Sequence, residues 1–266
     1  MNRLTFVSAC VLFIAGFSFA TNRYYNDLKG RSQNGQYEAT ATSPANQYGK
    51  RQTPFQRDFI VTFSDTQSGK TLWTWKQGEE DLSPVELIPT DCGQLIMRTI
   101  HDYHVFDAAG VKTKVFEPLR SLSKAEQETF TDWTTAGTQW RQYSQQGFIS
   151  FENKTYFYLR LYWGRTFIID LSQAELITET KVAERVEQHI LEQTRNLIET
   201  FNWDYYAKCD SCNKNHLRAG LTEAAFVIKK HTIREGEKLL NEVLDKSDDG
   251  RNSHLADYLD RVKSAQ

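Results

Sequence analysis

Asp65-Thr66-Gln67-Ser68-Gly69-Lys70-Thr71-Leu72-Trp73-Thr74-Trp75 has the form of a turn leading into a strand. An apolar run from Phe59 to Ser64 leads into it, and Lys70 to Lys76 leads out with Leu72, Trp73 and Trp75 among polar residues. Asp65 can accept hydrogen bonds from the turn backbone, and Gly69 supplies the positive φ that closes a hairpin. The pattern returns twice. Tyr103 to Asp107 precedes Gly110 to Phe116, and Thr166 to Asp170 precedes Ala174 to Ile177. Further short strands are expected at Gly35–Thr42, Val85–Ile88, Gln94–Thr99, Phe148–Phe151 and Thr155–Tyr162, bounded by Pro, Gly and Asp. An internal repeat of this kind predicts stacked antiparallel units.

The Asp65 copy resembles the repeat of the pyrroloquinoline-quinone-type β-propellers. In that family an Asp, a Thr-Gly-Lys turn and a Trp beyond it mark the outer hairpin of a blade. Asp65, Gly69, Lys70 and Trp73 match it, Ser68 stands where Thr is frequent, and the other two copies lack the Trp. The resemblance implies blade-like sheets with Trp73 packed between neighbours, and an extracytoplasmic scaffold without the quinone. Three units are too few to close a ring.

The expected fold class is therefore α+β. A blade-like β domain over 21–176 carries a helical insertion near 119–145, and a small α-helical domain covers 177–266. In the insertion, Ser123 to Glu126 fits a capping box for a helix ending near Trp133. Apolar residues fall at helical spacing over Lys181–Phe201, Leu217–Lys230 and Ser253–Lys263. Thr232-Ile233-Arg234-Glu235 reads as a second capping box, and the last three helices resemble HEAT-type hairpins.

Residues 1–20 read as a cleavable signal peptide. Arg3 precedes 17 uncharged residues, and Ser18 and Ala20 place small side chains before a cut at Thr21. The expected location is extracytoplasmic, periplasmic or secreted, with no membrane-spanning segment after cleavage. Of 32 basic residues only Arg3 lies in the leader, so 31 face 34 acidic ones in the mature chain, a net of −3. That balance argues against nucleic acid as a partner. Cleavage removes Cys10 and leaves Cys92, Cys209 and Cys212, an odd number in an oxidising space.

Cys209-Asp-Ser-Cys212 followed by His216 is the local motif with most chemical reach. It admits a disulfide pinning a loop, a zinc site needing a remote fourth ligand, or redox thiols; otherwise no cofactor is expected. Tyr156, Tyr158, Arg160 and Tyr162 share one strand face that could stack a sugar ring, opposite Phe157, Leu159, Leu161 and Trp163. His101 and His104 flank Asp102 without converging on a metal, and no catalytic signature is visible, so no catalytic residue is assigned. Asn153-Lys154-Thr155 is a glycosylation sequon with meaning only in a eukaryotic secretory host. The expected function is an exported, non-enzymatic interaction or scaffold protein with a protein partner. The rivals are a glycan-binding module and a hydrolase using His101, His104 or His216 between the domains.

Overall fold

The structure is a computed structural model, and it describes residues 26–46, 58–79, 81–134, 137–245 and 251–264. The expected leader over residues 1–20 lies outside the described residues. Two antiparallel four-stranded meanders open the fold. The first sheet is β1 (Leu28–Arg31), β2 (Tyr37–Thr42), β3 (Ile60–Asp65) and β4 (Thr71–Lys76). The second is β5 (Glu86–Pro89), β6 (Leu95–Arg98), β7 (Tyr103–Phe106) and β8 (Lys112–Phe116). The insertion follows as α1 (Lys124–Phe130) and a two-stranded hairpin, β9 (Asp132–Thr134) and β10 (Gly137–Gln139). A third four-stranded meander comprises β11 (Gln145–Phe151), β12 (Lys154–Arg160), β13 (Thr166–Asp170) and β14 (Glu175–Ile177).

The repeated Asp turns are the outer hairpins of these three sheets, β3–β4, β7–β8 and β13–β14. In the first, Asp65 accepts from the Ser68 amide at 2.7 Å, and Gly69 takes φ +66°. In the second, Asp107 accepts from the Ala109 and Val111 amides at 2.9 Å, with Gly110 at φ +81°. In the third, Asp170 accepts from the Ser172 amide at 2.9 Å, and Ala174 adopts φ +51° in place of a glycine. The first two hairpins share a register shift at the same place, between Phe63 and Ser64 and between Val105 and Phe106. An extra residue there bends the outer strand away from a straight ladder.

Sheets stack face to face because alternate residues of each strand feed different cores. Ala39, Val61, Phe63 and Trp73 of the first sheet meet Leu87, Leu95, Met97 and Phe106 of the second. Ile96, Tyr103 and Val105, on the other side of the second sheet, meet Phe157, Leu159, Phe167 and Ile169 of the third. The sequence reading misses β1, four residues with two cations and a glycine. Its place is fixed by tertiary packing: a Cβ on Gly30 would collide with the Leu87 carbonyl oxygen, so only glycine lets β1 lie against β5. The strand expected from Gly35 starts at Tyr37, because Gly35 turns the chain at φ +73°.

A column of rings ties the first two sheets together. Tyr37 stacks on Phe63 at 5.5 Å, Phe63 on Trp73 at 4.9 Å with planes 5° apart, and Trp73 on Phe106 at 5.6 Å. Trp73 also lies under the turn of the second sheet, where a Cβ on Gly110 would stand 2.6 Å from Trp73 Cγ.

Helices cover the face that the third sheet turns away from the second. They are α2 (Thr180–Thr200), α3 (Trp203–Lys208), α4 (Ser211–Lys230), α5 (Arg234–Asp245) and α6 (Arg251–Ser264). On α2, Val182, Val186 and Ile190 recur every four residues and are fully buried against Ile149, Tyr156, Tyr158 and Ile168. The remaining helices form their own core with the insertion, including Phe130, Tyr162, Phe226, Leu240 and Tyr258. On α6, Arg261 pairs with Asp132 at 2.9 Å and the Tyr258 hydroxyl donates to the same carboxylate, fastening the last helix to β9.

Two expected helix boundaries move. The Ser123–Glu126 capping box is present, with the Glu126 amide donating to Ser123 Oγ at 3.2 Å, but α1 stops at Phe130. Thr232 does not cap α5. It sits at φ +52°, with its amide bonded to Lys229 O and the Ile233 amide bonded to Ile228 O at 3.0 Å. That is the left-handed ending of α4, and a Thr-x-x-Glu spacing cannot tell a helix start from the residue closing the previous helix.

Candidate functional site

A cleft of about 350 Å³ opens where the second sheet meets the insertion. Two remote segments build it. Arg98 ends β6, and Ile100 and His101 follow in the turn to β7; Trp140, Arg141 and Gln142 follow β10. The β6–β7 turn is set by Thr99, whose Oγ1 accepts from the amides of His101 at 3.2 Å and Asp102 at 3.1 Å. The Thr99 hydroxyl donates in turn to the Asp102 carboxylate. Val85, Ile100 and Trp140 supply the apolar part of the lining, and Gln139 adds an exposed amide.

Polar groups behind the cleft form one connected chain. Arg98 Nε donates to Glu86 Oε2 at 2.6 Å, and Gln146 Nε2 donates to Glu86 Oε1 at 2.7 Å. Gln146 Oε1 accepts from the Tyr103 hydroxyl at 3.1 Å and from the Arg141 guanidinium at 2.8 Å. The guanidinium lies 5.5 Å from the Tyr103 ring centre and 6.0 Å from that of Trp140. Burial pushes the Tyr103 hydroxyl up to about 12, so it remains a donor across the ordinary pH range.

Charge in the cleft is unbalanced. Both oxygens of Glu86 are engaged by Arg98 and Gln146. Among the described residues no carboxylate forms an ion pair with Arg141, whose Nε is buried without a partner. Burial lowers the pKa of Arg141, opposed by Tyr103 and reinforced by the like charge of Arg98. The nearby Glu223 is pushed upward by burial, against the pull of Arg141. The arrangement can grip and orient an anionic or hydrogen-bonding group; a buried cation without a counter-charge is costly unless something completes it.

The other residues singled out from sequence lie elsewhere. Tyr156, Tyr158 and Arg160 do share a face, but α2 covers it, and all three are buried, as is Tyr162 beyond the strand end. Arg160 is 2% exposed and meets Glu187 on α2 through Nε at 2.9 Å and a second guanidinium nitrogen at 3.2 Å. Tyr162 donates to the Phe130 carbonyl at 3.0 Å. That face has no room for a sugar ring. Its polar groups join sheet to helix.

Glu187 is also reached by Lys230 Nζ at 2.9 Å and His231 Nε2 at 3.0 Å, both at the end of α4. Burial pushes its carboxyl upward, but Arg160, Lys230 and His231 outweigh that and hold it at about 2. Sheet, α2 and α4 thus converge on one carboxylate.

His101 lines the cleft, whereas His104 is buried on β7 with its Nε2 3.2 Å from Asp102. Cys209 carries a free thiol that donates to the Tyr206 carbonyl at 3.3 Å, and Cys92 is free and exposed. The side chain of Cys212 lies outside what is described, and His216 is exposed on α4. Among the described residues no three His, Cys, Asp or Glu side chains gather as a metal ligand set. No described helix is long and apolar enough to cross a membrane.

No protein-family model matches the chain, and no curated protein is found similar to it.

Proposed function

We propose that the chain is an exported, non-enzymatic interaction protein that works as a scaffold outside the cytoplasm, with a protein partner held at the cleft between the second sheet and the insertion. The observation that carries this reading is the Arg141 guanidinium, backed by two aromatic rings and, among the described residues, without an ion-pair partner beside an open cavity. Such a group serves recognition: it offers a planar donor fork and fixed charge. The stacked sheets support it as a rigid frame, since the residues that place Arg98 and Arg141 are held by a continuous hydrogen-bond chain. Residues 1–20 support the extracytoplasmic location through their charge, apolar run and small residues at the cut. Zinc at Cys209, Cys212 and His216 is a separate proposal, for which metal content of the purified chain is the direct measure.

Export is tested by fractionating cells that produce the whole chain and sequencing its N-terminus. The expected result is a protein outside the cytoplasm that begins at Thr21. A cytosolic protein that retains Met1 would overturn the location.

A further inference from the structure

We propose that the Arg141 cleft binds a carboxylate group presented by its ligand. This rests on the interaction reading and deepens it by naming the group recognised. Four observations lead there. Arg141 has one hydrogen bond, to a neutral amide, and its Nε is unpaired. Glu86, the acid closest to the cleft in the hydrogen-bond chain, is already shared between Arg98 and Gln146 and so cannot turn to Arg141. His101 has a buried Nδ1 without a partner, a ring nitrogen that can donate when it carries the proton, so the lining retains an unused donor position. The cavity, at about 350 Å³, has room for more than a bare ion.

The charge count favours a carboxylate over a phosphate. Arg98 is neutralised by Glu86 at 2.6 Å, and Glu223 offsets part of the Arg141 charge without pairing with it, so the positive charge left over is at most one. A monoanion cancels it, whereas a phosphate carrying nearly two charges would leave negative charge buried. A guanidinium fork also matches the two oxygens of a carboxylate in one plane. An acidic side chain of a protein segment and a free small organic acid both carry this group.

The test uses calorimetric titration of the whole mature chain with four probes. They are an acetylated, amidated hexapeptide bearing a single glutamate side chain, its glutamine counterpart, propionate and inorganic phosphate. Binding of the glutamate peptide or of propionate at millimolar concentration or tighter, about −4 kcal/mol, with weaker binding of phosphate and none of the glutamine peptide, is the expected result. Arg141→Gln should then weaken binding at least about tenfold. Because Arg141 is packed on two rings, its variant could fail to fold; Gln139→Glu changes an exposed residue of the lining and should weaken binding by a similar factor through repulsion. Preference for the peptide assigns the carboxylate to a protein segment. Preference for propionate keeps the carboxylate assignment and removes its link to a protein partner. Equal binding of the glutamine peptide, tighter binding of phosphate, affinity unchanged in both variants, or no binding of either carboxylate probe at about 10 mM would overturn the proposal, leaving the scaffold reading to its own cross-linking test.

Discussion

Glu187→Ala is expected to destabilise the protein by about 3 kcal/mol, read as a fall in the urea midpoint with an unchanged slope. The variant leaves the Arg160 guanidinium, 2% exposed, buried among Tyr156, Tyr158 and α2 without its counter-charge. Lys230 and His231 lose the same acceptor, so the end of α4 loses its tie to α2 and to the third sheet. Those two partners are partly solvated, which places most of the loss on Arg160. Glu187→Gln keeps the size and one acceptor oxygen, and should cost less than Ala at neutral pH.

Acid supplies a second reading of the same group. The Glu187 carboxyl falls from an ordinary 4.5 to about 2 on folding, so its contribution is complete above about pH 4.5 and is lost as pH drops through about 2. The stability gap between wild type and Glu187→Gln should therefore narrow steadily from pH 5 towards pH 2. A gap that stays constant over that window would show that the ion cluster contributes little and that packing alone joins sheet to helix.

Trp73→Ala is expected to cost about 4 kcal/mol, because the side chain is 8% exposed and central in the four-ring column. Trp73→Phe should retain more than half of that, since a smaller ring can still stack between Phe63 and Phe106. Gly110→Ala offers a check on the geometry. Its new methyl would press on Trp73 Cγ at 2.6 Å and also sit at φ +81°, so it should be costly in the wild type. In the Trp73→Ala background the contacts with Cγ and Cδ2 disappear, leaving the backbone penalty of about 1 kcal/mol and the approach to the retained Cβ at 3.0 Å. The two changes should therefore couple by about 1 kcal/mol or more. Additive effects would mean that Trp73 does not pack under the second sheet's turn.

The outer hairpins were legible because each rests on local chemistry: an Asp that accepts amides of its own turn, a residue able to take positive φ, and alternating apolar residues beside it. The open, blade-like stacking followed from the count of those units. β1 was not legible, since Leu28–Arg31 has no alternation of its own and exists through its contact with β5. The strand face of Tyr156, Tyr158 and Arg160 was correctly grouped, yet whether a helix covers it depends on where α2 lies, some 20 or more residues along the chain. The cleft was hidden for the same reason. Arg98 and His101 lie about 40 residues before Arg141, and only the packing of the insertion on the second sheet brings them together. The local signal was slight: Trp140-Arg141 flanked by glutamines in an insertion otherwise rich in Thr.

Contact between this cleft, on an exported scaffold, and a protein partner is tested by placing a photo-cross-linking amino acid at Gln139, exposed in the cleft lining, in cells that produce the whole chain. A control places it at Thr74, exposed on the open outer face of the first sheet. The expected product is a discrete cross-linked protein from Gln139 that is absent from Thr74 and is lost when Arg141→Gln is added. No adduct from Gln139, or an equal one from Thr74 that survives Arg141→Gln, would rule that contact out.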